Sequence, residues 1–412
     1  MGMFRRARLP ASLLCALVPL VGSACGSPSD GTATVDYDRE LARLRSLGYL
    51  GGVVAGPPGE RVVLHDPALA QPGLNLYNAG DAAEAFLMDM NGEVRHRWSL
   101  PYEAAFRERS VAAPPPTPGA PTQSFWRRVH LYPNGDLLAI FEGRGGLIKI
   151  DRESRLLWAV TNGAHHEVAV AGNGEIYVLT RTARLIPELD SDEPIFEDFI
   201  TVLDPDGREL RRTSVLDALR HSEFADLLGR APMRGDVMHT NTLKLLGDDA
   251  APASPVFRPG NVLTSFRKLD AIAVLDLEVN RIVWALGGLT KGQHDPTLLA
   301  DGHVLIFDNQ RSEDSGSRVI EVNPATEAIH WQYPEHAPGI YSECCGTAQR
   351  LANGNTLITY SGPGVALEVT REGQVVWKFE SPHRAGADQR LIAQLMEVRR
   401  VPRAYVRDWL DE

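Results

Sequence analysis

From residue 75 onward, apolar residues come in short β-branched runs, each broken by a turn signal. Two arrangements recur. One is an apolar strand with an Asn-Gly or Asp-Gly turn, as in "LYPNGDLLAI", "AVAGNGEIYVL", "LLADGHVLIF" and "RLANGNTLIT". The other is a strand, a turn and a closing tryptophan: "LMDMNGEVRHRW", "IKIDRESRLLW", "AVLDLEVNRIVW", "IEVNPATEAIHW" and "LEVTREGQVVW". Both are hairpin patterns. Trp284, Trp331 and Trp377 lie 47 and 46 residues apart, a period suited to four-stranded propeller blades.

Five repeats begin near residues 127, 166, 239, 294 and 346. The one that begins near 166 is irregular, lacking its tryptophan and carrying insertions around 182–198 and 214–236. A sixth repeat forms if the C-terminal "RLIAQLMEVRRV" pairs with the N-terminal "AFLMDMNGEVRHRW", which ties the chain ends together and removes an exposed sheet edge. The pattern therefore predicts an all-β fold, a six-bladed β-propeller over residues 75–403, with five or seven blades as the neighbouring solutions.

What precedes and follows this block is different in kind. Residues 1–24, "MGMFRRARLPASLLCALVPLVGSA", join three arginines to an apolar run too short and too proline-broken to span a membrane, the form of a signal peptide. Small residues lead into Cys25, which makes it a candidate lipidation site, with simple secretion as the alternative. A Gly/Ser/Thr-rich linker covers 25–36, and residues 37–74 open with one short amphipathic helix that stops at Gly48. The Pro-rich stretch "VAAPPPTPGAPTQS" has to run outside any sheet, and 404–412 read as a tail.

The 412 residues are 43% hydrophobic and 23% charged, enough for a substantial core, with a net charge of −11. Residues 1–24 carry three arginines and no acid, so the exported chain is more acidic still and unsuited to nucleic acid. Of four cysteines, Cys15 leaves with the signal and Cys25 is the lipidation candidate, which leaves the adjacent pair Cys344 and Cys345. No disulfide framework or thiolate metal site is available from these.

Counting back eight residues from the turn glycines gives Arg127, His166, His239, His294 and Gly346. Three of five equivalent positions are histidine in a chain with 12 histidines, and in a propeller such positions converge on the central axis. They suit a metal site or an anion site. A metal calls for carboxylates around the histidines. The neighbours in sequence are instead "HTN" at 239–241 and Arg267, which favour an oxyanion.

These motifs, "MHTN", "LTSFRKLDAIAVLD", "WALGG" followed by "QHD", and "FDN", resemble those of the bacterial arylsulfotransferase (arylsulfate sulfotransferase) family. The resemblance spans roughly residues 75–400. It implies an exported six-bladed propeller that moves a sulfuryl group between phenols without a nucleotide donor and with no cofactor. His294 would be the nucleophile, passing through a sulfohistidine, and His239, Asn241 and Arg267 would bind the sulfuryl oxygens. A further ring histidine corresponds to His166, with His165 left open by the "HH" doublet. Residues 37–74 are too short for the long N-terminal β-domain of the best-known members, which leaves oligomerisation and acceptor choice open.

The chemistry suits these residues. Sulfuryl transfer, like phosphoryl transfer, is mostly positioning and charge stabilisation. A histidine nucleophile must be neutral, which neighbouring cations favour. Cys344 and Cys345 fall at the same mouth, either as a vicinal disulfide or as two partly buried thiols. Asp295, Asp308 and Asn309 fit turn or supporting roles. The partners expected are an aryl sulfate donor and a phenolic acceptor, with membrane contact only through a lipid anchor. Two rival readings are a non-enzymatic, lipid-anchored propeller that binds a small anion, and a metal- or quinone-dependent oxidoreductase.

Overall fold

The computed structural model describes residues 52, 54–57, 59–106, 124–232, 234–247, 256–310, 312–335, 339–385 and 389–410. The expected signal peptide, Cys25, the linker, the short helix at its start near Tyr37 and most of the Pro-rich loop lie outside these residues. The described chain is mostly β, with few short helices and six sheets of four or five antiparallel strands. A small three-stranded sheet accompanies them, formed by Val54–Ala55, Arg384–Ala385 and Leu391–Ile392.

Each of the six sheets has a lead strand at one edge. In chain order these are β1 (Trp126–Leu131), β2 (Ala164–Val170), β3 (Thr240–Leu245), β4 (His294–Leu298), β5 (Thr347–Arg350) and β6 (Leu395–Val401). Each packs against the lead strands of the sheets before and after it, and β6 packs against β1. The first five start within two residues of the repeat starts expected from the turn glycines. β6 shares a sheet with Glu84–Met88 and Val94–Ser99, as the chain-end pairing requires, although its direct partner is Leu74–Ala79.

The strands next to the lead strands are buried on both faces, as in Leu137–Phe141, Val262–Phe266, Val304–Asp308 and Thr356–Tyr360. Their unbroken apolar runs follow from that two-sided burial. The turn glycines adopt the left-handed conformation their Asn-Gly and Asp-Gly turns need, with φ of 88° at Gly135 and 87° at Gly302. The third repeat differs. There the hairpin runs from Leu245 to Val262 and the left-handed glycine is Gly260 (φ 87°), in place of Gly247.

The closing tryptophans have a specific job. Trp98 Nε1 donates to the Gly135 carbonyl, Trp158 to Pro205, Trp331 to Arg371 and Trp377 to Met90. Each bond runs from the fourth strand of one sheet, counted from its lead strand, to a turn of the next. These four tryptophans therefore fasten sheet to sheet, whereas Trp284 packs against Phe257. Helices are incidental to the site: Val215–Arg220, capped by the Ser214 hydroxyl on the Asp217 amide, and Arg403–Leu410, whose Trp409 packs edge-on to Trp98. The second lies where a tail was expected.

Candidate active site

The lead strands are irregular where they begin. Pairing with the neighbouring strand slips around Arg127 in β1, between Ala164 and Val168 in β2, around Asn241 in β3, after His294 in β4 and around Met396 in β6. Such bulges let successive side chains leave the strand in directions a regular pleat forbids. His166, His239, Asp295 and Cys345 adopt left-handed backbones, with φ of 55°, 52°, 53° and 62°, a conformation uncommon outside glycine. Consecutive residues thus divide between two clusters. Arg127, His166 and His294 join one; Arg128, Glu167 and Asp295 join another.

In the first cluster His166, His239 and His294 are all buried. The His166 and His239 rings meet edge to face with centroids 4.9 Å apart. His294 Nδ1 is 2.8 Å from Asn309 Oδ1. The orientation of that amide is set from outside, because Asn309 Nδ2 donates to the carbonyls of Ser342 (2.7 Å) and Cys345 (2.9 Å). Its Oδ1 can only accept, so His294 carries its proton on Nδ1 and its lone pair on Nε2. The Cys345 backbone N–H donates to that Nε2 at 3.3 Å. Burial above all, then the charge of Arg267, holds the His294 pKa well below the ordinary imidazole value. The ring is therefore neutral at neutral pH.

Cations surround it. Arg267 follows Val262–Phe266, takes the His239 carbonyl on its backbone N–H (3.2 Å) and points a guanidinium nitrogen at the Glu343 carbonyl (3.5 Å). Arg127, also buried, reaches within 3.5 Å of both Cys345 Sγ and the carboxylate of Glu142. Burial lowers the His166 pKa first and Arg127 lowers it further.

The remaining expected residues have supporting positions. Asn241 Nδ2 donates to the Gln293 carbonyl (2.9 Å), and its Oδ1 accepts from the Thr242 hydroxyl (3.1 Å). It thereby holds the peptide that leads into His294. His165 lies beside His166 with the two Nδ1 atoms 2.8 Å apart, and its Nε2 faces Asp198 at 3.5 Å. His239 Nδ1 lies 2.5 Å from Asp236 Oδ2.

Two expectations need correction. Carboxylates do lie beside the histidines, Asp236 and Asp198, brought in by a loop and a strand that spacing does not reveal. Among the described residues, however, the group of three His, Cys, Asp or Glu side chains whose ligand atoms all lie within 4.8 Å of one another is Asp301, His303 and Glu321, away from the ring. The other correction concerns Cys344 and Cys345, which are free thiols with Sγ atoms 3.4 Å apart. Adjacent Cα atoms are about 3.8 Å apart, shorter than a disulfide usually spans, so closure would force the intervening peptide to distort. That peptide carries the N–H on His294.

Arg127 was marked by the turn-glycine count but not by any motif. Asp236 had no signal beyond standing three residues before His239. Further along β3 to β6 lies a separate cavity of about 700 Å³, lined by Lys244, Asp295, Arg350, Glu397 and Arg399 among others. It does not include the histidines.

A family model described as arylsulfotransferase (ASST) matches residues 128–382, more than half of the chain. The chain belongs to the arylsulfotransferase family. Every ring histidine, Arg267 and Asn309 falls inside the matched span. No curated protein matches the chain. Among solved structures, a protein of unknown function from Bacteroides caccae is 12% identical, covers 80% of this chain and 98% of its own, and superposes with a TM-score of 0.48. A virginiamycin B lyase from Staphylococcus aureus with Quinupristin is 11% identical over 78% of this chain and 87% of its own, with a TM-score of 0.43. The WD40 β-propeller domain of Doa1 is 10% identical over 77% of each chain, at 0.39.

Proposed function

We propose that this family member transfers a sulfuryl group from an aryl sulfate ester to a phenol through a sulfohistidine on His294, in a six-bladed propeller exported by residues 1–24 and anchored at Cys25. The observation that carries the reading is the His294 ring: buried, neutral, with its lone pair confined to Nε2 by Asn309 and with Arg267 close enough to depress its pKa. Six lead strands in mutual contact support the blade count.

In the first half-reaction the Cys345 N–H releases Nε2, whose lone pair attacks sulfur; the bond from sulfur to the aryl oxygen breaks, and its electron pair leaves with that oxygen. Arg267, with His166, stabilises the negative charge on the equatorial oxygens. Asn241 holds the backbone behind the nucleophile. The proton stays on His294 Nδ1, donated to Asn309 Oδ1, so the sulfated ring remains oriented. In the second half a phenol oxygen attacks the same sulfur and Nε2 leaves, giving ping-pong kinetics.

The test is chemical. Mixing the protein with 4-nitrophenyl sulfate, without nucleotide, should leave one sulfuryl group on the peptide spanning residues 291–309, and added phenol should remove it. His294→Asn should abolish the adduct and nitrophenol release together. Full turnover by that variant would end the covalent reading.

A further inference from the structure

A phenolic leaving group needs a proton, since the parent phenol has a pKa of about 10. Arg127 and Arg267 stay protonated and cannot give one up. His294 is the attacking group, and its Nδ1 proton faces a neutral amide. His239 stands in the opposite electrostatic setting. Its Nδ1 is 2.5 Å from Asp236 Oδ2, its ring meets His166, and its charge is felt at His294. Asp236 is in turn faced by Arg181 Nη1 at 3.9 Å.

We propose that Asp236 is the positioning residue for His239, fixing its proton on Nδ1 and supporting its charged form, so that Nε2–H gives a proton to the departing phenolic oxygen and later accepts one from the incoming phenol. The inference rests on the sulfuryl-transfer reading above. With Nδ1–H bound to the carboxylate, only Nε2 is left to exchange protons with a substrate. Burial pushes the Asp236 pKa up, but His239 and Arg181 more than offset it and hold the carboxyl ionised. Burial likewise lowers the His239 pKa, and Asp236 opposes that. The balance stays below the ordinary imidazole value, and without the carboxylate a buried imidazole close to Arg267 and Arg181 would be harder still to charge. The two ring histidines are thus set apart by their surroundings: burial and Arg267 keep the nucleophile neutral, while at His239 a carboxylate opposes the same loss of charge.

The protons balance over the cycle. In the first half the S–O bond breaks, the aryl oxygen keeps the pair and takes the His239 Nε2 proton, and the N–S bond forms at His294. In the second half the acceptor phenol returns one proton to His239 Nε2 as its oxygen bonds to sulfur and the N–S bond breaks.

The experiment compares Asp236→Asn with wild type in single-turnover cleavage of two donors, phenyl sulfate and 4-nitrophenyl sulfate, across pH. General acid help is typically worth about 10²–10⁴-fold. The variant should therefore lose about a hundredfold or more on phenyl sulfate but under about threefold on the nitrophenyl ester, whose leaving group needs little protonation. Its basic limb on phenyl sulfate should move to lower pH, because the charge that favours imidazolium is gone. Asp236→Glu, which keeps a carboxylate, should hold that limb near its wild-type position, and it serves as the second variant if the amide does not fold. Equal losses on both donors, or an unmoved limb, would overturn the proposal. Wild type inactive on both donors would instead overturn the transfer reading beneath it.

Discussion

At the scale of single residues, the site separates what a side chain does from what its backbone does. Cys345 touches the nucleophile through its N–H, while its thiol lies toward Arg127. Cys345→Ala should then keep donor cleavage within about threefold of wild type, since the peptide donor survives. Asn309→Leu should behave differently. It removes the acceptor for His294 Nδ1–H, frees the tautomer and leaves two buried carbonyls without their donor. Rate should fall by about 10–100-fold, as for lost supporting partners of other histidines, with most of the change in kcat. Both are read from steady-state kinetics.

The buried imidazoles also set a pH dependence. Burial lowers the pKa of His165, His166, His239 and His294, and brings that of His130 down to about 4. The unfolded chain then binds more protons than the folded one as pH falls below about 6.5, so stability declines in that window. Melting temperature measured between pH 7 and pH 5 should fall, and less steeply in His130→Gln.

At the scale of elements, the bulges explain how much could be anticipated. The turn-glycine count found His166 and His294 because bulges recur at the same distance from the turn; it reached His239 from Gly247, which is not the turn glycine of its hairpin. It also marked Arg127, yet an arginine in a register of histidines carried no role until its position beside Cys345 was known. Asp236 stayed hidden because its approach to His239 depends on the loop ahead of β3, where no periodicity operates. The third hairpin misled for a related reason, its turn having moved to Gly260 past an insertion. Strands are set by local patterning, whereas loop contacts depend on the whole assembly.

One element-scale consequence concerns Gly346, which has φ 109° and no room for a Cβ against the Phe307 ring. Gly346→Ala meets both a strained backbone and a buried aromatic ring, a combination worth about 2–4 kcal/mol. Since Gly346 adjoins the Cys345 peptide, the variant should lose stability and donor cleavage together. Thermal unfolding beside single-turnover cleavage checks that coupling.

At the scale of the whole molecule, two sets of contacts pass from sheet to sheet. Trp98, Trp158, Trp331 and Trp377 fasten the rims. Nearer the lead strands, charges do the same: Arg128 to Glu167 (3.2 Å), Glu167 to Lys244 (3.4 Å), Lys244 to Asp295 (2.8 Å), and Asp295 to the Ala348 N–H (3.0 Å). Gln349 and Arg400 join β5 to β6, and Glu397 returns to Arg128 at 2.8 Å. The second residues of the bulge pairs therefore hold the lead strands while the first ones form the site.

Glu397 is the critical member because it comes from the C-terminal strand and meets Arg128 from the sheet that follows. Burial raises its pKa, but Arg128, with Arg399 and Lys244, holds it below the usual carboxylate range. Its contribution to stability is present above its unfolded value of about 4.3 and is lost as pH falls toward the folded value. Removing one member of a buried pair leaves the other uncompensated, at a cost of about 3–5 kcal/mol. Glu397→Gln should therefore unfold at markedly lower denaturant concentration at pH 7. Below about pH 4 the difference from wild type should shrink, because acid protonates the wild-type carboxyl as well. A constant difference across that range would mean that the charge on Glu397 contributes nothing and that its shape alone holds β6 in place.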